Sequence, residues 1–276
     1  MPLSDLQTTL LHALAERRSP ESYVAGASPL TRAGFRYSAD IDVFHDREEA
    51  VEAAALADAA TLETAGFRVE WVRRQRALFV AIVHGADDRT RLEWAVDSDF
   101  RFFPVISDEL FGYVLHLADI ATNKALAASG RREPRDVVDL LWIDRHYLSL
   151  GAVVWAAVGK DPGFTPEGLL AEICRTTRYQ QADFDRLRTA TPISAAAISQ
   201  QLRASLAAAD AFVRAMPAGM EGQLFLKRGQ PVQPDPADLE SCIAHAGERH
   251  GHWPSSPDIT SAMLERYGRG DTGETT

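Results

Sequence analysis

The chain has 276 residues, 46% of them hydrophobic and 25% charged, with a formal net charge of −10. That balance suits a globular chain and excludes a molecule whose whole surface attracts nucleic acid, so any polyanion it takes must meet a local basic patch. Two cysteines, Cys174 and Cys242, make no disulfide framework, no apolar run reaches membrane-spanning length, and the first residues show no signal-peptide pattern, so a cytoplasmic protein is expected.

Residues 4–17 are predicted as a helix, with Ser4 as N-cap and Leu6, Leu10, Leu11 and Leu14 on one face. Tyr23-Val24-Ala25 is a short strand running into a turn at Gly26, a brief helix covers 29–33, and 40–44 is a strand. Asp46 opens the next helix, whose early turns carry Glu48, Glu49 and Glu52, where acids suit the helix dipole, and Gly66 stands where helices end. Strands are expected over 67–72 and 78–83, joined at Arg73-Arg74-Gln75-Arg76, and over 91–97 after a turn at Gly85-Ala86-Asp87-Asp88. This β-α-β-β-β order, with helices packed on one side, predicts an α+β fold built on a small mixed sheet.

From Phe111 the period becomes helical, with helices expected over 115–129, 134–147, 150–158, 166–176, 181–188 and 193–216. A short strand and turn at 224–229 and a helix over 234–246, with Asp235 capping and Pro236 early, follow. The change of period divides the chain into an α+β domain over 1–110, an all-helical region over 111–268 and a disordered tail over 269–276.

The chemistry centres on Arg36-Tyr37-Ser38-Ala39-Asp40-Ile41-Asp42-Val43-Phe44. In a strand, residues two apart share a face, so Asp40 and Asp42 project together and Ile41 and Val43 project oppositely. Two like charges held that close call for an opposite charge, and Mg²⁺ prefers hard carboxylate oxygens. Read alone, such a pair is more often a solvated strand end.

A Gly26-Ala27-Ser28 turn followed by Asp-x-Asp on a strand resembles the nucleotidyltransferase superfamily signature. With Phe44-His45-Asp46 after it, the stretch resembles the AbiEii/AbiGii toxin family of nucleotidyltransferases. A second block supports the likeness: the Lys124 helix, the Gly130-Arg131-Arg132 turn, then Arg135-Asp136 and Asp139 opening the next helix. The resemblance spans residues 20–145.

It implies Mg²⁺- or Mn²⁺-dependent transfer of a nucleoside monophosphate from an NTP to a hydroxyl. The metal ligands implied are Asp40, Asp42 and a third carboxylate on a neighbouring strand. Glu93 is the first candidate, because it alternates with apolar Leu92 and Trp94, and Asp97 is the backup. Gly26, Ser28, Ser38, Lys124 and Arg131 are implied to bind the nucleotide, Lys124 as a point charge for the triphosphate. Asp136 either orients Lys124 or Arg131 or helps activate the acceptor; Asp136 and Asp139 share a helical face. The family further implies a toxin of a toxin–antitoxin or phage-defence system, with RNA, tRNA in particular, as acceptor, an antitoxin as partner and no membrane.

Two rivals stay open: the same chemistry on a small molecule, and a catalytically incomplete nucleotide-binding relative. Arg73, Arg74, Arg76, Arg131, Arg132 and Arg135 form local basic clusters that suit a nucleotide or RNA backbone, or solvated turns. Cys242, His245, His250 and His252 match no familiar zinc spacing.

Overall fold

The computed structural model describes residues 3–32, 35–98 and 100–249. Helix α1 (Asp5–Leu14) is capped by Ser4, whose side chain accepts from Gln7 N, and it buries Leu6, Leu10, Leu11 and Leu14. Strand β1 (Ser22–Ala25) leads through Gly26 into the short α2 (Ser28–Thr31), and β2 (Asp40–His45) precedes α3 (Glu48–Thr64). Asp46 does not open α3; Arg101 takes its carboxylate at 2.7 Å, and Arg47 stands at the N-cap.

Three strands follow: β3 (Arg68–Gln75), β4 (Leu78–His84) and β5 (Arg89–Val96). Arg73 and Arg74, expected in a turn, lie in β3 opposite Val80 and Phe79, beyond a register shift between Trp71 and Arg73. Pairing to β4 extends the strand through them, and the turn moves to Arg76 and Ala77. Next come three short strands with no sequence signal, β6 (Phe100–Arg101), β7 (Ile106–Asp108) and β8 (Gly112–Val114).

The fold is α+β. Its main sheet has seven strands in the order β3-β4-β5-β2-β1-β8-β7, mixed because β2 runs parallel to β5 and β1 parallel to β8. Alternation along β1 and β2 assigns the two faces. Val24 pairs with Val43, and both join Ile41, Leu92 and Trp94 in a core against α1 and α3. Ala25 pairs with Asp42 on the opposite face. Asp58 ties the first core together: fully buried on α3, it accepts from Arg17, Arg18 and the Trp94 indole at 2.5–2.8 Å.

Helices cover the other face as well, not one side alone. These are α4 (Leu117–Gly130), α5 (Pro134–His146), α6 (Leu150–Ala157), α7 (Pro166–Thr176), α8 (Gln181–Phe184) and α9 (Ala195–Ala215). Tyr23 and Ala25 of β1 share one core with Ala121 and Ala125 of α4 and Leu140 and Ile143 of α5. Helix α8 is shorter than expected, ending at Phe184 and leaving 185–189 as loop.

The region after 111 is not all helical. Strands β9 (Gln223–Lys227), β10 (Gln230–Val232) and β11 (Ile243–Ala246) form a second sheet, and β12 (Glu248–Arg249) pairs with β6. The helix expected over 234–246 is replaced by a 3₁₀ turn at Leu239–Ser241 and β11, because β9 supplies a pairing edge that local capping signals cannot reveal. His245 bonds to the Phe102 carbonyl at 2.7 Å. His250, His252 and the tail expected over 269–276 lie outside the described residues. Among the described residues no helix is long and apolar enough to cross a membrane.

Candidate active site

A cleft of about 350 Å³ opens between the sheet and α4. Asp40 and Asp42 of β2 and Glu93 of β5 line it, and the parallel register sets Glu93 directly beside Asp42. Asp97, one strand-end further, does not line it; its carboxylate accepts from the Tyr23 hydroxyl instead. Gly26 reaches the cleft floor at φ +67°, a left-handed conformation that glycine adopts without penalty. A Cβ at that position would lie 1.9 Å from Asp42 Oδ2, so the backbone there is packed directly against the carboxylate.

Burial, with Asp40 and Glu93 beside it, pushes the Asp42 carboxyl up to about 7. Lys124 and Arg135 pull the other way without cancelling this. A negative charge on Asp42 is therefore disfavoured among these carboxylates. Arg135 donates to Asp40 at 3.0 Å, and Arg91 donates to Glu93 at 2.5 Å. Held this way, no three His, Cys, Asp or Glu side chains among the described residues converge as a ready metal cage. The donor set itself, three hard carboxylates of which Asp40 and Glu93 are held by arginines, fits Mg²⁺ or Mn²⁺. The two arginines that hold Asp40 and Glu93 are both partly exposed.

The opposite wall carries the cations. Lys124 of α4 is 8% exposed and lies 2.8 Å from Asp139 and 3.6 Å from Asp136. Arg36 grips Asp139 with two bonds of 2.6 and 2.7 Å, and Arg131 grips Asp136 with two of 2.7 and 3.0 Å. The result is an alternating chain, Arg36–Asp139–Lys124–Asp136–Arg131, carrying one positive charge in excess. Burial alone would raise the Asp139 carboxyl, yet Lys124 and Arg36 hold it below the ordinary carboxylate value. Lys124 and Arg131 line the cleft; Asp136 and Asp139 stand behind Lys124 and orient it.

Ser28 and Ser38 do not line the cleft. Both are buried, and each donates to the Asp40 carbonyl at 2.8 Å, pinning the start of β2. Gly26, Asp40, Asp42, Glu93, Lys124 and Arg131 are thus brought together, with Asp136 directly behind Lys124. Sequence reasoning missed Arg36 as the buried partner of Asp139, and Asn123, which lines the cleft and accepts from Lys160 at 2.9 Å. Arg36 opens the Asp-x-Asp stretch itself, but no local signal says that an arginine is buried.

No family model and no curated protein matches the chain. Among solved structures it is similar to MenT4, a nucleotidyltransferase toxin from Mycobacterium tuberculosis, with a TM-score of 0.54 and 18% identity over 77% of this chain and 83% of that one. At that identity the likeness is one of fold: this chain has an α+β fold resembling that of a nucleotidyltransferase toxin.

Proposed function

We propose that the chain is a Mg²⁺-dependent nucleotidyltransferase that moves a nucleoside monophosphate from an NTP to a hydroxyl. The observation that supports this most directly is Asp42. Its carboxyl is forced up to about 7 by burial and by two neighbouring acids in a cleft whose far wall is cationic. A structural strand has no use for that repulsion; a site that takes a divalent cation and a triphosphate does. Asp40, Asp42 and Glu93 would hold the metal, with Mn²⁺ serving in its place. When bound, it supplies charge for the triphosphate and lowers the pKa of the acceptor hydroxyl.

The chain's own residues do the rest. Lys124 and Arg131 neutralise the phosphates, and Asp139 and Asp136 hold those cations in place before the nucleotide arrives. Gly26 allows the backbone to approach without obstructing Asp42. The acceptor hydroxyl loses its proton to solvent, its oxygen bonds to the α-phosphorus, the bond from that phosphorus to the oxygen bridging the α- and β-phosphates breaks, and pyrophosphate leaves. The carboxylates come from the part before residue 110 and the cations from the part after it, so we infer that the two parts act as one site. The fold likeness to a nucleotidyltransferase toxin supports a toxin role; RNA, tRNA in particular, as acceptor, an antitoxin as partner and the cytoplasm as compartment are what the AbiEii/AbiGii resemblance of the sequence motifs adds.

The test is label transfer from each NTP with Mg²⁺ and total cellular RNA, beside Asp42→Ala. Label on RNA with wild type alone supports the reading. NTP binding without label on RNA turns attention to a small-molecule acceptor, and no NTP binding removes the reading.

A further inference from the structure

A second cleft, of about 230 Å³, abuts the first, and Arg135 belongs to the walls of both. Five of its residues are arginines and one, Asp88, is an acid. Two of the five are neutralised within the fold, Arg36 by Asp139 and Arg135 by Asp40. Arg89, Arg186 and Arg188 are exposed, and none of the three makes an ion pair with a described carboxylate. In a chain of net charge −10, three arginines without a carboxylate partner among the described residues line one cleft, a local positive patch that a polyanion would neutralise.

The geometry couples this cleft to the first. The loop left free by the early end of α8 is clamped onto the segment leading into β2: Tyr37 N donates to the Arg188 carbonyl at 2.8 Å, and Arg36 and Thr189 form an antiparallel bridge. The Arg188 guanidinium lies 4.7 Å from the Tyr37 ring centroid. The guanidinium lies over the ring face, and its planar group backed by the ring is a platform of the kind on which a nucleobase stacks. Tyr37 is three residues from Asp40, and Arg89, at the start of β5, is four from Glu93.

We propose that this second cleft seats the backbone phosphates of a single-stranded RNA, whose terminal hydroxyl enters the first cleft past Arg135. The direction of the strand rests on the nucleotidyltransferase reading; the binding surface does not. The NTP is left to the first cleft, with Lys124 and Arg131. Arg89, Arg186 and Arg188 hold phosphates, and the Tyr37–Arg188 platform takes a base.

The experiment is fluorescence anisotropy of a 5′-labelled single-stranded RNA oligonucleotide at several salt concentrations. It uses wild type, the double variant Arg186→Ala/Arg188→Ala, and Arg188→Lys. A fluorescent NTP analogue with Mg²⁺ is titrated in parallel, and thermal melts check folding. The double variant should bind RNA about tenfold or more weakly at ~0.1 M salt, with a salt slope flatter by about 0.7 for each phosphate that the arginines no longer neutralise. Its NTP affinity should be that of wild type. Arg188→Lys keeps the charge and removes the platform, so it should weaken RNA binding while leaving the slope in place.

RNA affinity and slope unchanged in the double variant would overturn the proposal. So would loss of NTP binding in its place, which would assign the cleft to the nucleotide. Arginine-dependent RNA binding without nucleotidyl transfer would remove the enzymatic reading and leave this surface standing. Transfer to RNA at an acceptor KM that the double variant shares with wild type would do the reverse.

Discussion

Gly26 and Asp42 are packed so closely that a single added methyl at Gly26 would lie 1.9 Å from the Asp42 carboxylate oxygen. The contact is between backbone and a carboxylate proposed to hold the metal, so its disturbance should separate activity from folding. Gly26→Ala places a Cβ on a left-handed residue, which costs on the order of 1–2 kcal/mol, and displaces Asp42 as well. We expect a folded protein, by circular dichroism, with a melting temperature a few degrees lower and label transfer reduced at least about a hundredfold, since small misplacements at a reacting centre carry that penalty. Near wild-type transfer would show that the Asp42 position is not critical.

Asp42 also predicts a pH dependence. Its carboxyl titrates near 7 in the folded protein against an ordinary 3.8, so the folded state holds the proton more tightly. A raised value stabilises the fold most below the unfolded value, and that contribution is lost as pH rises from about 4 through about 7. Relative to Asp42→Asn, which carries no such charge, metal-free wild type should lose stability across that window. Mg²⁺ should restore it above pH 7 in wild type and do little for the variant. Differential scanning fluorimetry across pH, with and without Mg²⁺, checks both.

Two histidines act in the opposite sense. Burial lowers His45 to about 4 despite Asp58 and Asp46 nearby, with Arg18 adding to the effect. Burial likewise lowers His116 to about 4, with Asp119 opposing and His245 assisting. Groups kept neutral in the fold destabilise it once the unfolded chain can protonate, so stability should fall as pH drops from about 6.5 through about 4. His116→Asn keeps an acceptor for the Ala118 N–H that His116 caps and should flatten the acid limb in urea titrations. An unchanged acid limb would shift the cause to His45.

The buried ion chain separates structural from catalytic loss. Asp139→Asn leaves Arg36 and Lys124 facing each other's charge in the interior, and breaking a buried pair in this way costs about 3–5 kcal/mol. Lys124→Ala leaves Asp139 with Arg36 and Asp136 with Arg131, so its stability cost should be clearly smaller. Activity should fall in both, by about a hundredfold or more for Lys124→Ala. Equal denaturant midpoints for the two variants would sink this ordering.

What the sequence made legible was local. The two-residue alternation in β2 put Asp40 and Asp42 on one face and Ile41 and Val43 on the other, and the same rule selected Glu93, since its strand neighbours Leu92 and Trp94 are core residues. The N-cap of α1, the start of α7 at Pro166 and the glycine turn at Gly26 were readable for the same reason: a few neighbouring residues determine them. What stayed hidden depended on distant partners. Ser28 and Ser38 have the chemistry of phosphate ligands, yet the fold spends their hydroxyls on one carbonyl. Arg36 meets Asp139 103 residues away. Residues 243–246 follow helix-like signals but pair with β9, an edge supplied from elsewhere in the chain.

The span between Arg36 and Asp139 also bears on how the protein comes into being. In sequence, α3 and the β3–β4 hairpin lie between the strand bearing Asp42 and its parallel neighbour, and Lys124 takes its orientation from Asp139 on α5. Such sequence-distant contacts close late in folding. A growing chain therefore carries its carboxylates for some hundred residues before the cations that work with them are in place. On the nucleotidyltransferase reading, a chain whose α5 has not docked lacks the groups that orient Lys124, and a partner bound at that stage would meet a polypeptide that transfers no nucleotide.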